Sequence, residues 1–253
     1  MKDPRQRFSP LAERCAKYRP GYPPALLAFL EQEYHLTPST VVADIGSGTG
    51  HLTRLFLGNG NLAYAVEPNQ AMRAAAEEAL GAQLKFVSID GSAEETTLPS
   101  ASVDIVAAGQ AFHWFDPVKT RAEFERILTS DGLVALVWND REARKDGFSA
   151  EYESIAARYT LEHDYVDHRK TQERDVGPFF APLPFREASF DNHQELDYAG
   201  LEGRLLSSSY IIPPDHGAFP AMIDELHRLF DRHAAGGRVR MEYLTKLYVG
   251  RIR

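Results

Sequence analysis

Cysteine, basic charge and long apolar segments are all scarce in this chain of 253 residues. The single cysteine, Cys15, excludes an intramolecular disulfide and any zinc site built from cysteines. The net charge is −8, so the positive excess that is typical of nucleic-acid binders is missing. No stretch approaches the ~18 apolar residues of a membrane helix, and no apolar secretion signal follows the charged start. We therefore expect a cytoplasmic protein that binds neither nucleic acid nor membranes.

Glycine is concentrated at one place, directly after an apolar segment. Residues 41–50 contain an apolar run that ends in Asp44, followed by glycines at every second position, Gly46, Gly48 and Gly50. This pattern predicts a buried parallel strand, a tight turn and the start of a helix. Because glycine has no Cβ, the backbone of such a turn can closely approach a ligand. Asp44 offers that ligand a carboxylate.

The glycine spacing distinguishes between two kinds of nucleotide site. A dinucleotide fingerprint has glycine at the first, third and sixth positions, but the sixth position counted from Gly46 is His51. The acid before alternating glycines instead resembles motif I of the class I S-adenosylmethionine-dependent methyltransferases. This resemblance implies that Asp44 holds the cofactor ammonium, directly or through water. It also implies that the loop beneath the cofactor is formed by Gly46, Ser47, Gly48 and Gly50.

A second acid, Glu67, ends the second predicted strand. A carboxylate at this place can accept hydrogen bonds from both ribose hydroxyls of an adenosine. Residues 65–72, with the sequence AVEPNQAM, resemble motif II of the same methyltransferases. The resemblance implies that Pro68, Asn69 and Met72 lie near the adenine.

The adenine contact itself is expected after the third predicted strand. Many members of the family have an aspartate where Ser92 stands, so we expect the Ser92 hydroxyl and the Ala93 N–H to contact the adenine. Asp90 remains a competing candidate for the same contact.

Residues 110–116, QAFHWFD, resemble the type 11, trans-aconitate methyltransferase-like subgroup that acts on small molecules. The resemblance implies that Gln110 lies beside the methionine moiety, while His113 and Trp114 face the acceptor. His113 is the candidate general base, since imidazole titrates near neutral pH. A purely structural histidine is the alternative, because methyl transfer often depends on alignment more than on a base.

Two further segments are assigned to the same site. The segment YRPGYP, residues 18–23, resembles the part of the subgroup that folds over the cofactor. Tyr18 would then close the methyl end, and Arg19 would pair with the cofactor carboxylate. Trp138, on the fifth predicted strand, is a candidate for the acceptor pocket. We expect no metal site.

Predicted strands and helices alternate as far as residue 139. The predicted strands are residues 41–44, 62–66, 84–89, 103–108 and 133–138, and the predicted helices are residues 24–34, 50–57, 70–80 and 115–128. This alternation predicts a parallel sheet covered on both faces. Further along, we expect mostly helix over 141–174, a loop around Pro178, Pro182 and Pro184, strands at 185–190 and 241–252, and helices at 198–206 and 218–233.

The expected fold class is α/β, with a Rossmann-like methyltransferase sheet that is mostly parallel and has an antiparallel last strand. One domain is expected, with the cofactor core at 18–140, a helical insertion at 141–182 and a sheet-completing part at 183–253. The predicted function is methyl transfer from S-adenosylmethionine to a small-molecule acceptor, giving S-adenosylhomocysteine, by a monomer or homodimer. Alternatives are a non-catalytic cofactor-binding protein and a nicotinamide-dependent oxidoreductase. The acceptor and its O, N, S or C atom are not identified by the sequence.

Overall fold

The computed structural model describes residues 9–141, 147–161 and 175–253. The strands are β1 Val41–Ile45, β2 Leu62–Val66, β3 Phe86–Ile89, β4 Val103–Gly109, β5 Leu128–Asp140, β6 Phe185–Leu196 and β7 Val239–Gly250. The helices are α1 Ala12–Tyr18, α2 Pro24–Tyr34, α3 His51–Gly58, α4 Gln70–Leu80, α5 Pro117–Ile127, α6 Gly147–Arg158, α7 Tyr198–Leu206 and α8 Phe219–His233. Residues 175–180 are also helical.

The strands form one seven-stranded sheet in the order β3-β2-β1-β4-β5-β7-β6. Neighbouring strands from β3 to β5 are parallel, whereas β7 is antiparallel to both β5 and β6. The prediction of a Rossmann-like, mostly parallel sheet is confirmed. Strand order reverses between β1 and β4, and ligands of open α/β sheets bind outside the carboxyl ends of the strands at such a point. Asp44, Glu67 and Gln110 follow or end the strands at this edge.

The three largest groups of buried apolar side chains in the described part of the chain lie on the sheet and in the elaboration beyond it. One lies under α5 and includes Phe124, Ile127 and Trp138. A second lies under α2 and α3 on the sheet and includes Leu30 and Phe56. The third joins α6, α7 and α8 to β7 and the end of β6. The elaboration beyond β5 therefore has an apolar core of its own.

Local sequence signals predicted most elements between residues 62 and 127 closely. The helix at Gln70–Leu80 has the predicted bounds, and Asp116 caps α5 by accepting hydrogen bonds from the amides of Val118 and Lys119. The third strand begins at Phe86 rather than at residue 84, because Leu84 is fully exposed (102%) and lies in a turn. Short-range pattern alone did not separate this turn from the strand.

The expected loop around Pro178 is wrong at its start, because residues 175–180 are helical. Val176, Phe179 and Phe180 are all buried, and their spacing places them on one helical face against the sheet. Packing of this face outweighs the local preference of a proline. Two parts of the predicted helical insertion, residues 142–146 and 162–174, lie outside the described residues.

Within the described residues, no helix combines the length and apolar character needed to cross a membrane.

Candidate active site

The turn after β1 has a backbone that only glycine adopts easily. Gly46, Gly48 and Gly50 have φ values of 67°, 56° and 82°, in the left-handed region. A Cβ on Gly46 would lie 2.7 Å from the Cβ of Ala111, and one on Gly50 would lie 2.5 Å from Leu80 Cδ1. A Cβ on Gly48 would meet nothing within 4 Å. Gly46 and Gly50 are therefore required by packing, whereas Gly48 borders open space.

Asp44 lies fully buried on β1, directly below this turn. Its Oδ2 accepts a hydrogen bond of 2.6 Å from the Thr53 hydroxyl, while its Oδ1 is buried and has no hydrogen-bond partner within the described residues. Burial raises the pKa of the Asp44 carboxyl to about 7, although the hydrogen bonds from Thr53 favour its charged form. A buried carboxylate oxygen without a donor fits a ligand that carries a cationic donor.

Glu67 follows β2 and braces the glycine turn. Its Oε2 accepts a hydrogen bond from the Gly48 amide at 2.9 Å, and its Oε1 accepts one from the Asn69 amide at 2.8 Å. Burial raises the pKa of Glu67, while these two amide bonds favour its charged form. Each carboxylate oxygen keeps a second lone pair for a further donor such as a ribose hydroxyl.

The residues after Glu67 fix the start of α4. Asn69 caps the helix, since its Oδ1 accepts a hydrogen bond from the Met72 amide at 3.0 Å, and its Nδ2 donates to Ser9. Met72 is buried with Ala12 and Cys15 of α1. Pro68, half-buried between Glu67 and Asn69, completes this segment. The motif II segment thus packs against the N-terminal helix α1. The contacts of Pro68, Asn69 and Met72 with adenine remain predictions.

The two candidates for the adenine contact have different surroundings. Asp90 is exposed and pairs with Arg73, with 3.1 Å between its Oδ2 and Arg73 Nη2. Ser92 closes a tight loop, because its amide donates to the Glu95 carbonyl and its Oγ accepts from the Glu95 amide. Ala93, next to it, is buried against the core. The adenine contact remains a prediction for both candidates.

The segment after β4 turns sharply at Gln110, whose φ is 56°. The Gln110 amide donates to the Val137 carbonyl, and its side-chain Nε2 donates to the Asn139 carbonyl at 3.0 Å. A short helical turn, Phe112–Trp114, follows, and the half-buried rings of His113 and Trp114 lie 4.9 Å apart. Gln110 is therefore held at the strand ends, one turn before the two rings.

The N-terminal segment packs beside the glycine turn. The Arg19 guanidinium donates to the Ser207 carbonyl at 3.1 Å, so it is anchored to the end of α7. The Tyr18 ring packs against Gly203 of the same helix. His51, the residue after the glycine turn, contacts the Cys15 carbonyl through Nε2 at 3.0 Å. Tyr18 and Arg19 are thus both held against α7, and their contacts with the cofactor and the acceptor remain predictions.

Trp138 lies in the hydrophobic core rather than at a pocket wall, which corrects its assignment to the acceptor site. It has no exposed surface, and its ring packs edge-on against Phe112 and Tyr248. The reason is strand alternation, which points Trp138 toward the face that α5 covers.

Several residues of this site carry no sequence signal. The Thr53 hydroxyl binds Asp44 from α3, and the Tyr22 hydroxyl packs over Gly109 at the end of β4. Burial, followed by the charge of Asp44, raises the pKa of Tyr22. Threonine and tyrosine are common in helices and lead-in segments, so only the tertiary structure identifies them. The described residues contain no cluster of three or more His, Cys, Asp or Glu side chains suited to a metal.

The sheet order, the antiparallel β7 and the glycine turn at the switch point define a Rossmann-like α/β domain of the methyltransferase type. The methyltransferase domain family matches residues 43–136. An uncharacterized methyltransferase of Mycobacterium tuberculosis is 31% identical over 219 residues, which are 86% of this chain and 82% of that protein. The chain belongs to the methyltransferase family, and its sheet has the class I methyltransferase fold.

Two solved structures have the same fold. A candidate type II methyltransferase from Anaeromyxobacter dehalogenans is 21% identical, with a TM-score of 0.65 over 93% of this chain and 98% of that chain. A candidate methyltransferase from an antibiotic biosynthesis pathway of Anabaena variabilis is 19% identical, with a TM-score of 0.60 over 93% of this chain and 99% of that chain. At these identities the similarity concerns the fold alone.

Proposed function

We propose that this enzyme binds S-adenosylmethionine in the crevice above the glycine turn and methylates a small-molecule acceptor, giving S-adenosylhomocysteine. The observation that supports this most directly is Asp44, whose buried Oδ1 has no partner within the described residues. That oxygen lies at the turn where the Gly48 backbone borders open space. The residues present therefore fit a ligand that combines an ammonium group with an adenosine.

Each of the surrounding groups has a task in this proposal. Asp44 binds the methionine ammonium, Glu67 binds the ribose hydroxyls, and Ser92 and Ala93 contact the adenine. Arg19 binds the cofactor carboxylate, and Gln110 lies beside the methionine chain. The bound cofactor supplies a methyl group that its sulfonium already activates, so alignment of the acceptor contributes much of the rate.

The acceptor side of the crevice is assigned to Tyr18, His113 and Trp114. The half-buried imidazole of His113 takes the acceptor proton wherever the attacking atom carries one. The rings of Tyr18 and Trp114 exclude water and orient the acceptor toward the methyl end. In this proposal a bond forms between the acceptor atom and the methyl carbon as the carbon–sulfur bond breaks.

Calorimetric titration tests the cofactor assignment. S-adenosylmethionine and S-adenosylhomocysteine are expected to bind one site, while NADH shows no heat of binding. Glu67→Ala should weaken the binding of S-adenosylhomocysteine by about 1–3 kcal/mol. The change removes the acceptor for the ribose hydroxyls and the carboxylate that binds the Gly48 amide. Binding of NADH without binding of the sulfonium compound would contradict the proposal.

Asp90→Asn, in contrast, is expected to leave cofactor binding almost unchanged. Because the exposed Asp90 side chain pairs with Arg73, the change removes a surface ion pair worth about 0–1 kcal/mol. The affinity for S-adenosylhomocysteine, measured by the same titration, should stay within about twofold. A loss of tenfold or more would assign the adenine contact to Asp90 instead of Ser92.

A further inference from the structure

The loop between β3 and β4 contains a residue with a strained backbone. Thr97 has a φ of 64°, in the left-handed region that β-branched residues rarely adopt. Its side chain is exposed, whereas the neighbouring Thr96 and Leu98 are buried. A backbone of this kind persists only where surrounding contacts fix it, and such residues cluster at functional sites. The contacts on both sides of Thr97 therefore have to hold it in place.

Two charged residues of α5 make these contacts. Glu123 Oε1 accepts hydrogen bonds from the Thr96 amide at 2.8 Å and from the Thr96 hydroxyl at 2.5 Å. Arg126 Nη2 donates to the Leu98 carbonyl at 2.8 Å. The two charged side chains also bind each other, with 2.7 Å from Arg126 Nε to Glu123 Oε2 and 2.7 Å from Nη2 to Oε1. This pair, the Glu123–Arg126 clamp, therefore holds the residues on both sides of Thr97.

The carboxylate of the clamp is shielded from water but stays charged. The Glu123 side chain is 10% exposed, whereas that of Arg126 is 39% exposed. Burial raises the pKa of Glu123, but the hydrogen bonds from Arg126 and Thr96 outweigh burial and lower it. Hydrogen bonds to a charged acceptor are stronger than those between neutral groups. Glu123 therefore holds Thr96 through two charge-assisted hydrogen bonds.

The clamped residues close the loop that carries Ser92 and Ala93. The Ser92 amide donates to the Glu95 carbonyl at 2.9 Å, and the Ser92 Oγ accepts from the Glu95 amide at 3.2 Å. A Cβ on Gly91 would lie 2.8 Å from the Thr96 carbonyl oxygen, so the start of the loop contacts its end. The positions of Ser92 and Ala93 therefore depend on where Thr96 is held.

We propose that Glu123 is a positioning residue for adenine recognition, which holds the strained segment at Thr96 and thereby fixes Ser92 and Ala93 toward the base. This inference rests on the proposed function, because that function assigns the adenine contact to Ser92 and Ala93. The Ser92 hydroxyl accepts one hydrogen bond from Glu95 and keeps its own hydrogen and a second lone pair for the base. Recognition by hydrogen bonds needs placement within about 0.5 Å, which the strained loop has only while it is clamped.

Two ligands that differ only in the base test this inference. S-adenosylhomocysteine and S-inosylhomocysteine, in which a carbonyl replaces the adenine amino group, are titrated by calorimetry. The inosine base has an acceptor where adenine has a donor, and an N–H where adenine has an acceptor. A fixed loop that fits adenine therefore leaves polar groups unpaired against the inosine base. The parent protein should bind S-adenosylhomocysteine about tenfold or more tightly, and this ratio is its adenine preference.

Two variants of Glu123 separate loop placement from stability. Glu123→Ala removes the acceptor of both Thr96 hydrogen bonds, so the adenine preference should fall below about threefold, mainly through weaker binding of S-adenosylhomocysteine. Glu123→Gln keeps an amide oxygen for Thr96 and loses the ionic charge toward Arg126, so the preference should stay within about twofold of the parent. Urea unfolding should show a loss of stability in both variants.

Glu125→Ala is the matched control on the same helix. The Glu125 carboxylate forms an ion pair with Arg121 one turn earlier, with 2.9 Å between its Oε1 and Arg121 Nε. The change therefore removes a partly exposed ion pair of α5 and leaves the contacts of Glu123 in place. Both ligand affinities should stay within about twofold of the parent.

Several outcomes would overturn the inference. These are equal affinity of the parent for both ligands, an unchanged preference in Glu123→Ala, or an equal loss of preference in Glu123→Ala and Glu123→Gln. The last result would mean that Glu123 only supports the fold through its ion pair. If Glu123→Ala does not fold, Thr96→Val replaces it, because that change removes only the hydroxyl bond to Glu123 and should lower the preference about threefold. Failure of both ligands to bind the parent would contradict the proposed function, whereas the other outcomes contradict only this inference.

Discussion

At pH 8, Asp44→Asn is expected to unfold at a higher denaturant concentration than the parent protein and to bind S-adenosylhomocysteine far more weakly. Burial raises the pKa of Asp44 to about 7, so above that pH the ligand-free fold contains a buried negative charge with one unpartnered oxygen. Removing the charge should stabilise the ligand-free protein by about 1–3 kcal/mol. The same change removes the partner of the ligand ammonium, which should weaken binding by about 2–5 kcal/mol.

The pH dependence of this difference has a defined sign. Because the pKa of Asp44 in the fold lies above its value of 3.8 in the unfolded chain, the folded state binds the proton more tightly. The carboxyl therefore favours the fold at low pH, and this contribution is lost as the pH rises from about 4 to about 7. The stability difference between parent and variant should vanish near pH 4 and reach its full size above pH 7. Cofactor affinity of the parent should rise through the same range.

Urea unfolding and calorimetric titration at several pH values between about 4 and 8 measure both effects. The difference between the two proteins isolates Asp44 from the other titrating groups. A variant that is less stable than the parent at pH 8, or a difference that does not change with pH, would contradict the prediction. Equal cofactor affinity in both proteins at pH 8 would mean that Asp44 does not bind the ligand ammonium.

Gly48→Ala is expected to abolish detectable binding of S-adenosylhomocysteine with only a modest loss of stability. The added methyl group meets no protein atom within 4 Å, so it occupies the open space that we assign to the ligand. The left-handed backbone at this position, with φ 56°, costs alanine about 1–2 kcal/mol. Affinity should fall by about two orders of magnitude or more, because the methyl group displaces the ligand from the turn.

Gly236→Ala is the matched control for this change. Gly236 lies exposed in the turn between α8 and β7, its φ is 60°, and an added Cβ there also meets nothing within 4 Å. The two variants should lose similar amounts of unfolding free energy in urea, and only Gly48→Ala should lose cofactor binding in calorimetry. Similar affinity in both variants would mean that the ligand does not approach Gly48.

Much of the sheet and of the cofactor side could be predicted because the signals are local. The alanine-rich helix after Asn69 has the predicted bounds, since cap and propensity agree with its packing. The glycines of the turn were identified by spacing alone, and all three have positive φ. Strand ends were less accurate, as at Leu84, because strand formation depends on pairing with distant residues.

The acceptor side could not be predicted in the same way, because its residues are brought together from distant parts of the chain. Trp138 was assigned to a pocket, but neighbouring strands and α5 enclose it in the core. Tyr18 was assigned by resemblance, but no local pattern predicts that its ring packs against Gly203, which lies far along the chain. Only the packing of α7 beside the N-terminal segment brings these two residues together.

The sequence by itself determined the fold class, the glycine turn and the positions of Asp44 and Glu67 at the ends of neighbouring strands. Periodicity, glycine spacing and the alternation of strands with helices are read from short segments, so they can be inferred without coordinates. Only the tertiary structure decided that Asp44 is buried with a raised pKa and that Trp138 belongs to the core. Burial and electrostatic balance depend on every neighbour in space, and neighbours in space are set by the complete fold.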